Sequence, residues 1–175
     1  MAEYVALEPD VEVLGGAILA CIDGLGEEAQ AALREMGIDK VEPDQWYKQQ
    51  AWLTALKMLN NTDMFNMVAV GMKIPANAVF PPDINSISSA LASIDVAYHM
   101  NHRNGEIGNY KYEAIGPQHA RLVCDNPYPS DMDYGIIYAM AQRFAPPGVQ
   151  FTVVRADSPS RLKGDDRCIY DVTWE

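Results

Sequence analysis

VQFTVVRADSPSRLKGDDRCIYDVTW, residues 149–174, decides the fold. VQFTVVRA at 149–156 and RCIYDVTW at 167–174 are each rich in β-branched and aromatic residues. Cys168, Tyr170, Val172 and Trp174 alternate onto one face, the period-two pattern of a strand with one side buried. DSPSRLKGDD between them is a polar, turn-rich loop. Upstream, GNYKYEAIG at 108–116 and HARLVCD at 119–125 read as two more strands joined by a tight Gly–Pro connection. Residues 131–144 read as a helix with Ile136, Ile137, Met140 and Phe144 inward. Strand–strand–helix–strand–strand makes a mostly antiparallel four-stranded sheet with one apolar face to cover.

The first half supplies the cover. Residues 11–37 read as a helix in two parts joined at Gly24–Gly26, with Gly37 as its stop. The pair Gly15–Gly16 weakens a helix start and indicates a close backbone contact. A second helix opens at Pro43, Asp44, Trp46 and Tyr47, continues through Trp52, Leu53, Leu56 and Leu59, and is interrupted at Asn60–Asn61. Further helices are expected over 63–74 and, after the NAVFPPD turn, over 84–101. There Ile84, Ile87, Leu91, Ile94 and Tyr98 form a stripe at spacings of 3 and 4. The expected architecture is α+β: one domain over residues 1–175, its helical N-terminal half packed on the four-stranded sheet.

The 175 residues are 49% hydrophobic and 21% charged, too apolar for a disordered chain. Twenty-four acidic against 13 basic residues give a net charge of −11, which argues against nucleic acid or an anionic membrane as the main partner. Residues 1–45 alone hold 11 acidic and 2 basic residues, read as a solvated helical face. Three cysteines cannot build a disulfide framework. MAEYVALEPD lacks the features of a signal peptide, and no apolar run approaches the roughly 18 residues of a membrane span. A cytoplasmic location without membrane insertion is expected. A GxGxxG fingerprint and a P-loop lysine are both absent.

The helix over 84–101 carries the best candidates for chemistry. Asp95, His99 and Arg103 are spaced i, i+4, i+8, and His102 returns to the same side. Asp95 could orient His99 for ligating haem iron or a divalent metal; alternatively both histidines simply suit a helix C-terminus. Cys124 and Cys168 could be neighbours across the sheet or simply small buried hydrophobes, and with His119 or His99 they could approach a metal. Asp131 and Asp133 lie at a helix start, where at least one of them reads as a cap. Ser158, Ser160, Arg161, Lys163 and Gly164 read as a solvated basic loop. No carboxylate pair or nucleophile set has catalytic spacing, so no enzymatic activity is expected.

Met58, Met64, Met67 and Met72, with Trp46, Trp52 and Phe65, suit an adaptable apolar pocket, ordinary core or a dimer face. A pocket between helices and sheet is expected with Trp52, Met67, Ile94 and Tyr98 as wall. Tyr98 and His99 would orient the ligand, with His102 beside them. Helical faces outnumber what one sheet can cover, so a homodimer is expected.

RLKGDDRCIYDVTW at 161–174 resembles the closing segment of 4-vinyl reductase-like domains: Lys163-Gly164-Asp165, then Cys168, Tyr170, Val172 and Trp174. The GG-containing first helix, the stretch Gly37, Ile38, Pro43, Asp44, Trp46, Tyr47, and a helix ending near Arg103 and Gly105 agree in order, so the likeness covers most of the chain. The resemblance implies a superfamily that also holds haem-based nitric-oxide-binding domains and small vesicle-tethering subunits. It implies a sensory or carrier domain for a small hydrophobic molecule, acting through a signalling partner protein. Alternatives are a component of tetrapyrrole vinyl-group reduction, a haem-based gas sensor and a dimeric scaffold subunit. The haem branch needs a proximal histidine and a Tyr-x-Ser-x-Arg motif for the propionates. This chain has no such motif, so haem is not expected and no other cofactor is indicated.

Overall fold

The computed structural model describes residues 2–23, 25–62, 66–77 and 83–175. The chain runs β1 (Glu12–Leu14), α1 (Gly15–Ile22), α2 (Gly26–Glu35), β2 (Trp46–Lys48), α3 (Gln49–Asn60), α4 (Met67–Asn77), α5 (Ile87–Met100), β3 (His102–Arg103), β4 (Tyr110–Gly116), β5 (His119–Cys124), α6 (Ser130–Phe144), β6 (Phe151–Arg155) and β7 (Cys168–Trp174). The strands read from the sequence pair antiparallel in the order β4-β5-β7-β6. Leu122 faces Tyr170 and Cys124 faces Cys168 across β5 and β7. The inner face carries Ala120, Leu122, Cys124, Cys168, Tyr170 and Val172, all fully buried, while Trp174 at the end of β7 is half-buried.

Helices α5 and α6 lie on that face; α4 crosses α6 closely, α1 packs on α4, and α2 on α3. The crossing places Gly135 against α4, where an added Cβ would sit 2.1 Å from the carbonyl oxygen of Val68. The α+β architecture with a helical N-terminal region on a four-stranded antiparallel sheet is therefore as the sequence implied. Among the described residues, no helix is long and apolar enough to cross a membrane.

Three short strands replace segments expected to be helical. Residues 12–14 are β1, Trp46–Lys48 are β2 instead of a helix start, and His102–Arg103 are β3. They form a second antiparallel sheet in the order β2-β1-β3, with Glu12 opposite both Lys48 and Arg103. Two or three residues are too few to display a period, so tertiary pairing settles their state. Arg103 donates from Nε to Glu12 at 2.7 Å and lies 4.3 Å from the centre of the Trp46 ring, which fastens β3 to β1 and, across it, to β2. Of the expected helix over 63–74, residues 63–65, including Met64 and Phe65, lie outside the described residues, as do Gly24 and residues 78–82 of the NAVFPPD turn.

The Gly15–Gly16 pair makes the close contact that its sequence implied. Gly15 N–H donates to the carbonyl of Gln45 at 2.7 Å and Gly16 N–H to that of Pro43 at 2.8 Å. A Cβ on Gly15 would meet the carbonyl oxygen of Glu42 at 2.0 Å, whereas one on Gly16 would rest 3.5 Å from that of Pro43. Gly15→Ala is expected to destabilise the fold by about 1–3 kcal/mol through overpacking against immovable backbone. Gly16→Ala, in helical backbone with room, is expected to be neutral or stabilising by about 0.4–1 kcal/mol. Urea denaturation of the two neighbours checks the contrast.

Candidate functional site

A cavity of about 70 Å³ lies where the helices meet the first strand of the large sheet. Trp52 of α3, Ile74 of α4, Ile94 of α5, and Met132 and Ile136 of α6 make its wall apolar. Its polar members are Tyr98, Asn101, His102, Tyr110 and Tyr128, with the Cys21 thiol of α1. Burial pushes that thiol up to about 12, and it donates to the carbonyl of Ala17.

Of the residues singled out in the sequence, Trp52, Ile94, Tyr98 and His102 line this cavity. Met67 is buried elsewhere on α4, which presents Ile74, seven positions on, to the cavity. His99 is exposed. Helix α5 turns Ile94, Ala97, Tyr98 and Asn101 inward, the i, i+3, i+4, i+7 set, and His99 falls one residue past it. Its Nδ1 lies 2.9 Å from the carbonyl of Asp95, while the Asp95 carboxylate accepts from the Tyr110 N–H at 2.7 Å. Asp95 thus anchors β4 to α5.

His102 is held on both ring nitrogens. Nδ1 is 2.8 Å from the carbonyl oxygen of Tyr98, and Nε2 is 2.7 Å from the hydroxyl of Tyr128. A carbonyl can only accept, so Nδ1 carries the proton and Nε2 the lone pair that receives the Tyr128 hydroxyl. Burial lowers the imidazole to about 4, against the pull of the Tyr98 carbonyl, so the ring is neutral at physiological pH. Tyr98 packs on it with ring centres 4.5 Å apart and sends its own hydroxyl to the carbonyl of Ile107 at 2.6 Å.

Below Tyr128 lies a polar cluster that the sequence reading missed. Arg161 and Asp133 form an ion pair with both side chains fully buried. Tyr110 donates its hydroxyl to Asp133 at 2.6 Å, and Asn126 points its amide at the same carboxylate. Arg161 also donates to the carbonyl of Tyr128 at 2.9 Å and to that of Asn126. Burial pushes Asp133 up to about 6 while Arg161, Tyr110 and Asn126 pull it down, so it is ionised at neutral pH. Asp131 pairs with Arg155 at 2.6 Å. The two carboxylates therefore serve arginines instead of capping the helix, and Arg161 leaves the loop for the interior because a buried partner waits there.

The α6 N-terminus is instead met from 127 residues away: the Ser130 N–H donates to the Glu3 carboxylate at 2.8 Å. Cys124 and Cys168 are neighbours across the sheet, both buried and free. His119 pairs with Asp171 at 2.9 Å. Among the described residues, no group of three or more histidines, cysteines or carboxylates is arranged to hold a metal ion.

A histidine whose folded value lies below its unfolded one adds stability above the unfolded pKa and loses it on acidification. With His102 near 4 folded and about 6.5 unfolded, stability is full above pH 6.5 and falls as pH drops from 6.5 to 4. The stability gap between wild type and His102→Asn should shrink by about 2–3 kcal/mol over that window. Chemical denaturation at a series of pH values measures it.

No protein-family model matches this chain, and no curated protein matches it by sequence. Solved structures do match in fold. The H-NOX protein from S. oneidensis in the Fe(II)NO ligation state superposes with a TM-score of 0.68 at 13% identity, over 93% of this chain and 99% of that one. The Fe(II) unliganded A71G H-NOX protein from K. algicida gives 0.63 at 12%, over 93% and 96%. An oxygen-binding H-NOX domain related to soluble guanylate cyclases, in its oxygen complex, gives 0.64 at 11%, over 92% of each chain. These likenesses overturn the expectation that haem is excluded, since the matching structures are of the haem-based branch. The demand for a complete motif hid a partial one: Tyr128 and Ser130 fill its first two positions, and Met132 stands at the third. Of the resemblance read from the C-terminal segment, the fold is what these likenesses bear out, and the fold this chain shares is that of H-NOX domains.

Proposed function

We propose that this chain is a sensory domain that binds haem through His102, responds to a small gaseous ligand and passes its state to a partner protein. The observation that carries the reading is the condition of His102: a neutral imidazole on an apolar cavity wall, its tautomer fixed with Nε2 as the donor atom. The fold shared with H-NOX domains supports it. A haem iron, when bound, supplies an open coordination position for a diatomic molecule.

The chain's own residues supply the rest. The Tyr98 carbonyl orients the ring through Nδ1 and makes Nε2 a stronger donor. Trp52, Ile94, Met132 and Ile136 exclude water from the site. Tyr128 and Ser130 occupy two positions of the propionate motif, and Met132 offers no guanidinium at the third. The cavity of about 70 Å³ is well below the ~300–1,000 Å³ of ordinary ligand pockets, so loading requires the surrounding helices to move outward.

Titration of the purified chain with haem should give a saturable, one-to-one Soret band that His102→Ala abolishes and His99→Ala leaves intact. A wild type that gives no saturable band, or a band unchanged in His102→Ala, overturns the reading. Binding of an apolar dye that is equal in wild type and His102→Ala would then favour a carrier of hydrophobic molecules.

A further inference from the structure

We propose that the Tyr128 hydroxyl is a gate on His102, and that the buried amide of Gln49 receives this hydroxyl when the gate opens. The inference rests on the reading of His102 as the ligating residue and deepens it. With Nδ1 committed to the Tyr98 carbonyl, Nε2 is the one ring atom able to ligate. In this structure the Tyr128 hydroxyl occupies it at 2.7 Å. Ligation through Nε2 therefore requires Tyr128 to withdraw its O–H.

Tyr128 is nearly fully buried, so a withdrawn hydroxyl cannot turn to bulk water, and a donor stranded in the interior is unfavourable. Gln49 answers this need. The first residue of α3, it is fully buried, and neither its Oε1 nor its Nε2 has a hydrogen-bond partner among the described residues. Such an orphaned amide is rare in a native interior. The Gln49 amide lies against the hydroxyls of both Tyr98 and Tyr128, with its N–H favouring their ionised forms. The Tyr98 hydroxyl is already spent on the Ile107 carbonyl, so once the Gln49 amide turns over to present Oε1, that oxygen is an acceptor for the Tyr128 hydroxyl. The gate has two arrangements of one proton donor: Tyr128 on His102, or Tyr128 on Gln49. An affinity or rate that depends on the open arrangement is reduced by the fraction of time it is closed.

The test follows haem uptake by stopped-flow absorbance and, in the haem-free protein, the His102 nitrogen resonances by NMR. The proteins are wild type, Tyr128→Phe, Gln49→Met and the double variant. Tyr128→Phe should take up haem faster, by about tenfold if the gate is closed nine-tenths of the time. Gln49→Met should slow uptake in the wild-type background and have no effect beside Tyr128→Phe. In the haem-free protein, Tyr128→Phe should shift the Nε2 resonance while Nδ1 stays protonated, and Gln49→Met should leave both in place.

Uptake no faster in Tyr128→Phe, or slowed equally by Gln49→Met in both backgrounds, overturns the gate. If none of the four proteins binds haem, the haem reading falls and the NMR arm alone decides the gate. An Nε2 resonance unmoved by Tyr128→Phe then overturns it, and a shifted one supports it.

Discussion

The buried ion pair of Arg161 and Asp133 holds together parts of the chain that share no secondary structure. Arg161 comes from the loop between β6 and β7, Asp133 from the first turn of α6, and Tyr110 joins them from β4. The Nη1 of the guanidinium reaches the carbonyls of Asn126 and Tyr128, which fixes the turn between β5 and α6. Removing one partner of such a pair leaves an uncompensated charge in the interior, whereas replacing both with apolar groups is often tolerated. The pair's distinctive contribution is thus direction: it aims the turn so that the Tyr128 ring reaches His102.

That direction explains why the cavity is apolar on one side and hydrogen-bonded on the other. Side chains from α3, α4 and α6 contribute bulk, and the cluster under Tyr128 contributes fixed dipoles. His102 sits at the seam. Its backbone belongs to β3, paired with Val13 of β1, and its ring is tied to the last turn of α5. The small second sheet, inconspicuous in area, places the imidazole.

Long strands and helices were legible because their periods repeat. Cys168, Tyr170 and Val172 alternate over enough residues to reveal a buried face, and Ile87, Leu91, Ile94 and Tyr98 repeat over three turns. Strands of two or three residues carry no such repeat, so β1, β2 and β3 were hidden inside apparent helices. The site was half legible for the same reason. Residues on the α5 stripe could be placed, but His99 and His102 look equivalent until the helix ends at Met100 and the chain turns into β3. Arg161 in a run of Ser, Lys, Gly and Asp looks solvated, because sequence does not disclose a carboxylate 28 positions earlier with no water to turn to. Gln49 gave no signal at all: one amide among polar neighbours becomes notable only once its burial is known.

Glu3 and the segment around it bear on how the chain comes to its final form. Tyr4 N–H donates to the Pro127 carbonyl, Ala6 N–H to the Gln50 side chain, and the Glu3 carboxylate receives Ser130. These partners lie 44 to 127 positions downstream. During synthesis these residues emerge well before their partners and must wait for them, and pairings so distant in sequence form late and slowly. The first turn of α6 is therefore completed by a segment made 127 positions before it, and the two ends of that span are joined only once the chain between them has been made.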